Sequence, residues 1–230
     1  MTVYIGDGHG RDNTTVGVDD PGAVYGKRTE AAFVRTLVPA IVQYLEPVID
    51  VRLIPDSGTL DSRITWLMER ATPDDWAFHI HMNSGGGTGT EVVYDDQKED
   101  QRDEAETILK TICTKTGLKN RGVKRDTETP RHYLGFVSRP SCKAFIIECG
   151  FLDNDADCAT LTQKGAKAIA DSILTALNMA KKLSPEQQAA WDRMKAISVF
   201  SDFTKVDTVL DTQTFAVLAS RLIDAIKRGA

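Results

Sequence analysis

The sequence predicts a three-layer α/β/α domain around a mixed, mostly parallel central sheet, followed by a small C-terminal helical segment. Three observations carry this prediction. Short β-branched and aromatic runs alternate with segments of helical period over residues 1–182. The 230 residues are 41% apolar and 27% charged, an ordinary globular composition that excludes disorder as the dominant state. No apolar run approaches the roughly 20 residues that span a bilayer, so membrane insertion is not expected.

The elements follow in order. Thr2–Ile5 is a β-rich run stopped at Gly6, and a loop rich in glycine and aspartate then extends to about Lys27. A loop of that length without regular structure is usually functional. From Thr29 to about Tyr44 the period becomes helical: Phe33, Leu37, Ile41 and Leu45 recur at four-residue steps beside Val34, Val38 and Val42. Asp50–Ile54 reads as a second strand, stopped by Pro55, and Thr59–Ala71 as a helix carrying Ile64, Leu67 and Met68. Trp76–His81 is a third strand whose alternation turns Phe78 and Ile80 to one face and His79 and His81 to the other. A glycine loop from Asn83 leads into a strand at Thr90–Tyr94. Residues 97–116 form a charged amphipathic helix ending near Gly117, and Gly122–Arg125 a short strand. Phe145–Gly150 is an apolar strand stopped by glycine, and Asp155–Lys182 is helical with a break near Gly165. Ser184 and Pro185 are a good N-cap and first helical residue for the C-terminal segment, 183–230, which reads as two helices.

Charge and cysteine usage narrow the function classes. A net charge of −5 gives no generic attraction for phosphate backbones, so no nucleic-acid partner is expected. The first residues lack the basic start and long apolar stretch of a secretory signal, so synthesis in the cytoplasm without a signal peptide is expected. Cys113, Cys142, Cys149 and Cys158 form no CxxC pair, which argues against a thiolate zinc knuckle or a thioredoxin motif and for free thiols. Cys149 follows Glu148 on a strand, so the two face opposite ways.

The residues that could carry chemistry lie where strands run into loops. His9 follows the first strand, His81 ends the third, and Glu148 lies in the apolar strand near residue 145, while Glu30 opens the first helix. In open α/β sheets this rim, at the carboxyl ends of parallel strands, is where ligands bind. Two imidazoles and a carboxylate make a catalytic zinc site with a fourth position left for water, and a further carboxylate can serve as general base. Glu148, beside Phe145, Ile146 and Ile147, needs something to satisfy its charge. His79 lies one pleat from His81 on the same face and is either a cleft-lining group or an alternative ligand; His132 is a surface residue or a substrate contact.

Three segments resemble a known family. Gly8-His9-Gly10, the glycine- and aspartate-rich loop through Gly22-Ala23, and Thr29-Glu30 opening a helix resemble the start of the zinc-dependent N-acetylmuramoyl-L-alanine amidases of the amidase_3 type. His79–Ser84 resembles that family's S-x-H-x-N segment, and Phe145–Asn154 its V-L-x-E-x-G-F-x-S-N segment; Asn120–Val123 also fits. The resemblance covers roughly residues 2–180. It implies one zinc ion per chain held by His9, Glu30 and His81, with Glu148 as the catalytic carboxylate. The implied reaction cuts the amide between N-acetylmuramic acid and the L-alanine of the stem peptide in bacterial peptidoglycan. It implies a phage or prophage endolysin, acting on the wall after holin-type release. The chain departs from the pattern at Arg11, where a glycine is usual, at His79, where a small residue is usual, and at Asp153, where a serine is usual.

The segment from Ala190 resembles surface-layer-homology-like helical modules, which implies a cell-wall-binding role; the plainer alternatives are a hairpin on the catalytic domain or a homodimer contact through these helices. Three alternatives to the amidase stay open: a zinc peptidase on another substrate, a non-catalytic wall-binding protein, and a cysteine hydrolase using Cys142 or Cys149.

Overall fold

The computed structural model describes residues 1–9, 11, 12 and 18–180. Two compact units divide the chain, Met1–Ala176 and Leu177–Ala230. The first carries the whole sheet. The predicted helical segment 183–230, with its wall-binding and dimerisation readings, lies outside the described residues.

Six strands form the main sheet: β1 (Thr2–Asp7), β2 (Asp50–Leu53), β3 (Trp76–Asn83), β4 (Thr90–Tyr94), β5 (Asn120–Arg125) and β6 (Lys143–Phe151). Their order is β2-β1-β3-β6-β4-β5. Every neighbouring pair is parallel except β6–β4, which is antiparallel. The predicted mixed, mostly parallel α/β sheet is therefore the one observed. The glycine loop after β3 returns the chain against β6, and α3 then crosses over so that β5 lies parallel to β4.

The helices are α1 (Glu30–Leu45), α2 (Leu60–Met68), α3 (Arg102–Thr116), α4 (Gly135–Ser138), α5 (Asp155–Thr160) and α6 (Ala166–Ala180). Thr29 caps α1 by accepting from the Ala32 amide, and Thr59 caps α2 by accepting from Ser62. Gly117, left-handed at φ 80°, ends α3 where the sequence predicts. Tyr4, Ala77, Ala144, Ile146 and Val93 of the sheet form one core with Ile64 and Leu67 of α2 and Phe136 and Val137 of α4. Strand alternation sends Trp76, Phe78 and Phe145 to the opposite face, where Phe78 and Phe145 stack with ring centroids 5.7 Å apart.

The structure corrects the sequence reading in three places. Helical winding persists through Gly165: a π-helical turn, Leu161–Gly165, joins α5 to α6. Gly165 is there for packing, since a Cβ would lie 3.1 Å from Leu161 and 3.4 Å from Leu37. The long first loop holds two small antiparallel ribbons, Arg11–Asp12 with Val18–Asp19 and Val24–Tyr25 with Arg28–Thr29. The interval between Arg125 and Phe145, to which the sequence assigns no element, contains α4.

Candidate active site

Because β1, β3 and β6 are parallel neighbours, their carboxyl ends share one rim. His9 lies just beyond β1, His81 near the end of β3, and Glu148 near the end of β6. Glu30 reaches the same rim from the first residue of α1. The ribbon before it fixes its approach: the Glu30 amide donates to the Ala23 carbonyl (2.9 Å), and the Ala31 amide to that of Pro21 (3.1 Å).

His9, Glu30 and His81 come together as a group able to hold a metal ion, with one ligand atom from each lying within 4.8 Å of the others. Glu30 is buried at 4% exposure. Its Oε1 lies 2.9 Å from His81 Nδ1 and accepts the Met82 amide at 2.9 Å, while its Oε2 accepts the Ala23 amide at 3.0 Å and lies 3.3 Å from His9 Nε2. The other nitrogen of His9, Nδ1, meets Asp20 Oδ2 at 2.8 Å, and Asp20 Oδ1 accepts the Gly22 amide at 3.0 Å. A carboxylate on the far nitrogen of a ligating histidine fixes its ring and tautomer. Burial pushes the Glu30 carboxyl up, but the hydrogen bond from His81 and the two imidazoles outweigh it, so Glu30 is held below the usual carboxylate range. Burial lowers His81, and its bond to Glu30 together with the charges of Glu148 and Glu30 raises it on balance.

Two glycines make this packing feasible. A Cβ at Gly8 would lie 1.8 Å from the His81 ring, and one at Gly22 2.5 Å from Glu30 Oε2. Gly22 also has φ 62°, a left-handed conformation that favours glycine.

Glu148 is paired in register with His81 across β3–β6, so both side chains lie on one sheet face. Its Oε2 is buried and has no hydrogen-bond partner among the described residues. Burial, helped by Glu30 and Glu91 and opposed by His81, pushes this carboxyl up to about 7. A buried carboxylate oxygen without a partner costs stability unless a ligand or solvent completes it, which marks a candidate position for reacting groups.

The remaining candidates fall outside this group. His79 is 1% exposed and stacks on Phe136, with ring centroids 3.5 Å apart. Burial, with Arg63 nearby, holds it well below the ordinary histidine range and hence neutral. Its ring centroid is 5.9 Å from that of His81, so the alternation predicted from sequence holds, but His79 is packed beneath the group. His132 is exposed at φ 53°, with Nδ1 2.9 Å from the Thr127 carbonyl. Cys142 and Cys149 are fully buried, and burial pushes both thiols up, Cys142 to about 11. Neither offers the thiolate a cysteine hydrolase needs.

Several site residues escape sequence reasoning. Asp20 lies in the flagged aspartate-rich loop, yet nothing in its spacing names it as the partner of His9. Arg63 reaches from α2 to the end of β1, where Nη2 donates to Asp7 Oδ1 at 3.0 Å and to the Asp7 carbonyl. Asn83 and Arg121 lie in the family-like segments, but their meeting on Glu91, a residue the sequence does not single out, depends on strand order alone.

Comparison with known proteins bears on the site. Residues 3–179 match the Amidase_3 family, described as N-acetylmuramoyl-L-alanine amidase. No curated protein matches by sequence. Among solved structures, the N-acetylmuramoyl-L-alanine amidase from Clostridium difficile 630 superposes with TM-score 0.61 at 21% identity, covering 77% of this chain and 96% of that one. The catalytic domain of CwlV, N-acetylmuramoyl-L-alanine amidase from Bacillus (Paenibacillus) polymyxa var. colistinus, gives 0.60 at 24% identity over 77% and 98%. The catalytic domain of the CD27L endolysin targeting Clostridia difficile gives 0.59 at 22% identity over 80% and 99%. At these identities the likeness is one of fold.

Proposed function

Since the chain belongs to the N-acetylmuramoyl-L-alanine amidase family, we propose that it hydrolyses the amide between N-acetylmuramic acid and L-alanine in bacterial peptidoglycan, using one zinc ion held by His9, Glu30 and His81 and a general base, Glu148. The observation that carries this reading is the bare, buried Oε2 of Glu148 on the same sheet face as the His81 that it adjoins.

The residues fit the metal. Two imidazoles and a carboxylate suit zinc, Asp20 braces the distal nitrogen of His9, and the carboxylate needed for proton transfer is separate from the ligand set. Zinc bound there supplies a Lewis acid that lowers the pKa of water and polarises the scissile carbonyl. Glu148 accepts the proton that water releases and hands it to the departing amine of L-alanine, so the carboxylate returns to its starting state. A carboxyl near 7 suits both transfers, because a base and its conjugate acid are then both accessible at neutral pH.

The direct test is Glu148→Gln. It leaves the ligand set in place, so zinc still binds by calorimetry, while release of amino groups from purified sacculi falls by about 10²–10⁴-fold. Full activity in that variant would remove Glu148 from the mechanism. Muropeptide mass spectrometry separates an amidase from a zinc peptidase: the former frees N-terminal L-alanine and leaves an intact lactyl group.

Among the described residues, no helix is long and apolar enough to cross a membrane. We propose further that the protein is a phage or prophage endolysin that reaches the wall through a holin-made lesion, a reading supported by its likeness in fold to an endolysin catalytic domain. Cytoplasmic expression together with a pore-former then lyses host cells, and lysis without the pore-former would oppose that assignment.

A further inference from the structure

We propose that Arg121 is a specificity-determining residue that binds a carboxylate of the stem peptide; the proposal rests on the amidase reading above. Glu148 is paired in register with His81 on one side and with Glu91 on the other. Directly paired residues point to the same face of a sheet, so His81, Glu148 and Glu91 form a row across β3, β6 and β4. Arg121, on β5, ends that row: its Nε donates to Glu91 Oε2 at 3.0 Å. Glu91 is fixed in turn, because Asn83 Nδ2 donates to its Oε1 at 3.0 Å. The guanidinium also lies over the Phe151 ring, 4.8 Å from its centroid.

Arg121 is thus held at one edge and along one face. Its two terminal nitrogens have no hydrogen-bond partner among the described residues, and its side chain is 32% exposed. A simple ion pair needs none of this bracing. A braced guanidinium with free terminal nitrogens has already lost its rotamer freedom and presents the geometry that receives a carboxylate. Neighbouring cations are otherwise engaged: Arg63 is buried on Asp7, and Arg125 pairs with Asp96 and Glu99.

The substrate's chemistry fits the position. Glu30, Glu148 and Glu91 make the catalytic face acidic, so an anionic group on the substrate needs a dedicated cation to approach. Two interstrand steps separate Glu148 from Arg121, roughly 10 Å. A peptide leaving the cut amide advances about 3.5 Å per residue, so an acid on the residue after L-alanine, with its own side-chain reach, spans that interval.

The test uses the zinc-loaded full chain and two muramyl tripeptides, identical except that the residue after L-alanine, a glutamate joined to the third residue through its γ-carboxyl, carries a free α-carboxylate in one and an α-amide in the other. The readout is the ratio of kcat/KM for the two, which a partial folding defect leaves unmoved because it scales both. The wild type favours the acid by about tenfold, chiefly through KM, the size of one charge-assisted hydrogen bond. Arg121→Gln brings the ratio close to one, and Arg121→Lys retains part of the preference. Equal turnover of the two by the wild type, or a preference that survives Arg121→Gln, would overturn the proposal while leaving the amidase reading intact. Cleavage of neither compound by a wild type that also leaves sacculi untouched would overturn both.

Discussion

Gly8 carries no side chain because the His81 ring occupies the space one would fill, at 1.8 Å from an ideal Cβ. The same economy governs Gly22 against Glu30. Gly8→Ala therefore moves the proposed ligand His81 without touching its chemistry. Zinc affinity measured by calorimetry is expected to fall by about 10–100-fold, the usual cost of disturbing a group that orients a ligand, while the circular dichroism spectrum stays that of the wild type. Unchanged affinity would mean that His81 does not need its present position. Glu148 gives a second prediction at this scale. In the metal-free chain its carboxyl is pushed up from an ordinary 4.5 to about 7. A folded pKa above the unfolded one contributes stability that is complete below the unfolded value and is lost as pH rises through the folded value. Glu148→Gln mimics the neutral acid, so the metal-free variant gains Tm over the wild type as pH rises from 5 to 8, by an amount equivalent to at most about 3 kcal/mol. A pH-independent difference in thermal melts would contradict the assigned burial of charge. That His9, Glu30, His81 and Glu148 are candidates for one site was legible from residue type and order, because the chemistry of a metal site restricts residue type. Asp20 was not, because a hydrogen bond to His9 leaves no comparable constraint on spacing, and Arg121, although it lies in the family-like Asn120–Val123 segment, comes to Glu91 only through strand order.

At the scale of the element, β3 does two jobs with alternate residues. Phe78 and Ile80 pack on one face, while on the other His79 stacks on Phe136 and His81 joins His9 and Glu30 at the rim. Period-two alternation makes that division readable from sequence. Phe78 is fully buried and stacks on Phe145 of the adjacent strand. Phe78→Ala is expected to destabilise the domain by about 3–5 kcal/mol in urea titrations, through lost burial and a cavity. A loss below about 1 kcal/mol would mean the strand is not seated as described. The direction of β4 was not readable, because alternation is the same in either sense of a strand. Nor was the π turn, because a glycine chosen to let Leu37 and Leu161 approach looks like a helix stop. The short α4, four residues around Phe136, is below the length at which periodicity shows. It nonetheless supplies the ring on which His79 packs, which explains why a histidine can be buried neutral one pleat from His81.

At the scale of the molecule, sheet order is what converts four scattered residues into one site. Parallel β1, β3 and β6 bring His9, His81 and Glu148 to one edge, and α1, entered through the Val24–Thr29 ribbon, adds Glu30. Alternating strands and helices predicted the class of sheet; strand order, which sets who neighbours Glu148, comes from tertiary packing alone. The antiparallel return of β4 is what places Glu91, and through it Arg121, beside Glu148. If this rim is the zinc-dependent amidase centre proposed here, cleavage of the wall depends on the metal. Purified peptidoglycan is digested with the untreated, chelator-treated and zinc-restored protein, and the new amino termini are identified by mass spectrometry. Free N-terminal L-alanine is expected from the untreated protein, with its loss on chelation and its return with zinc. Release of L-alanine that persists after zinc is removed would contradict that dependence.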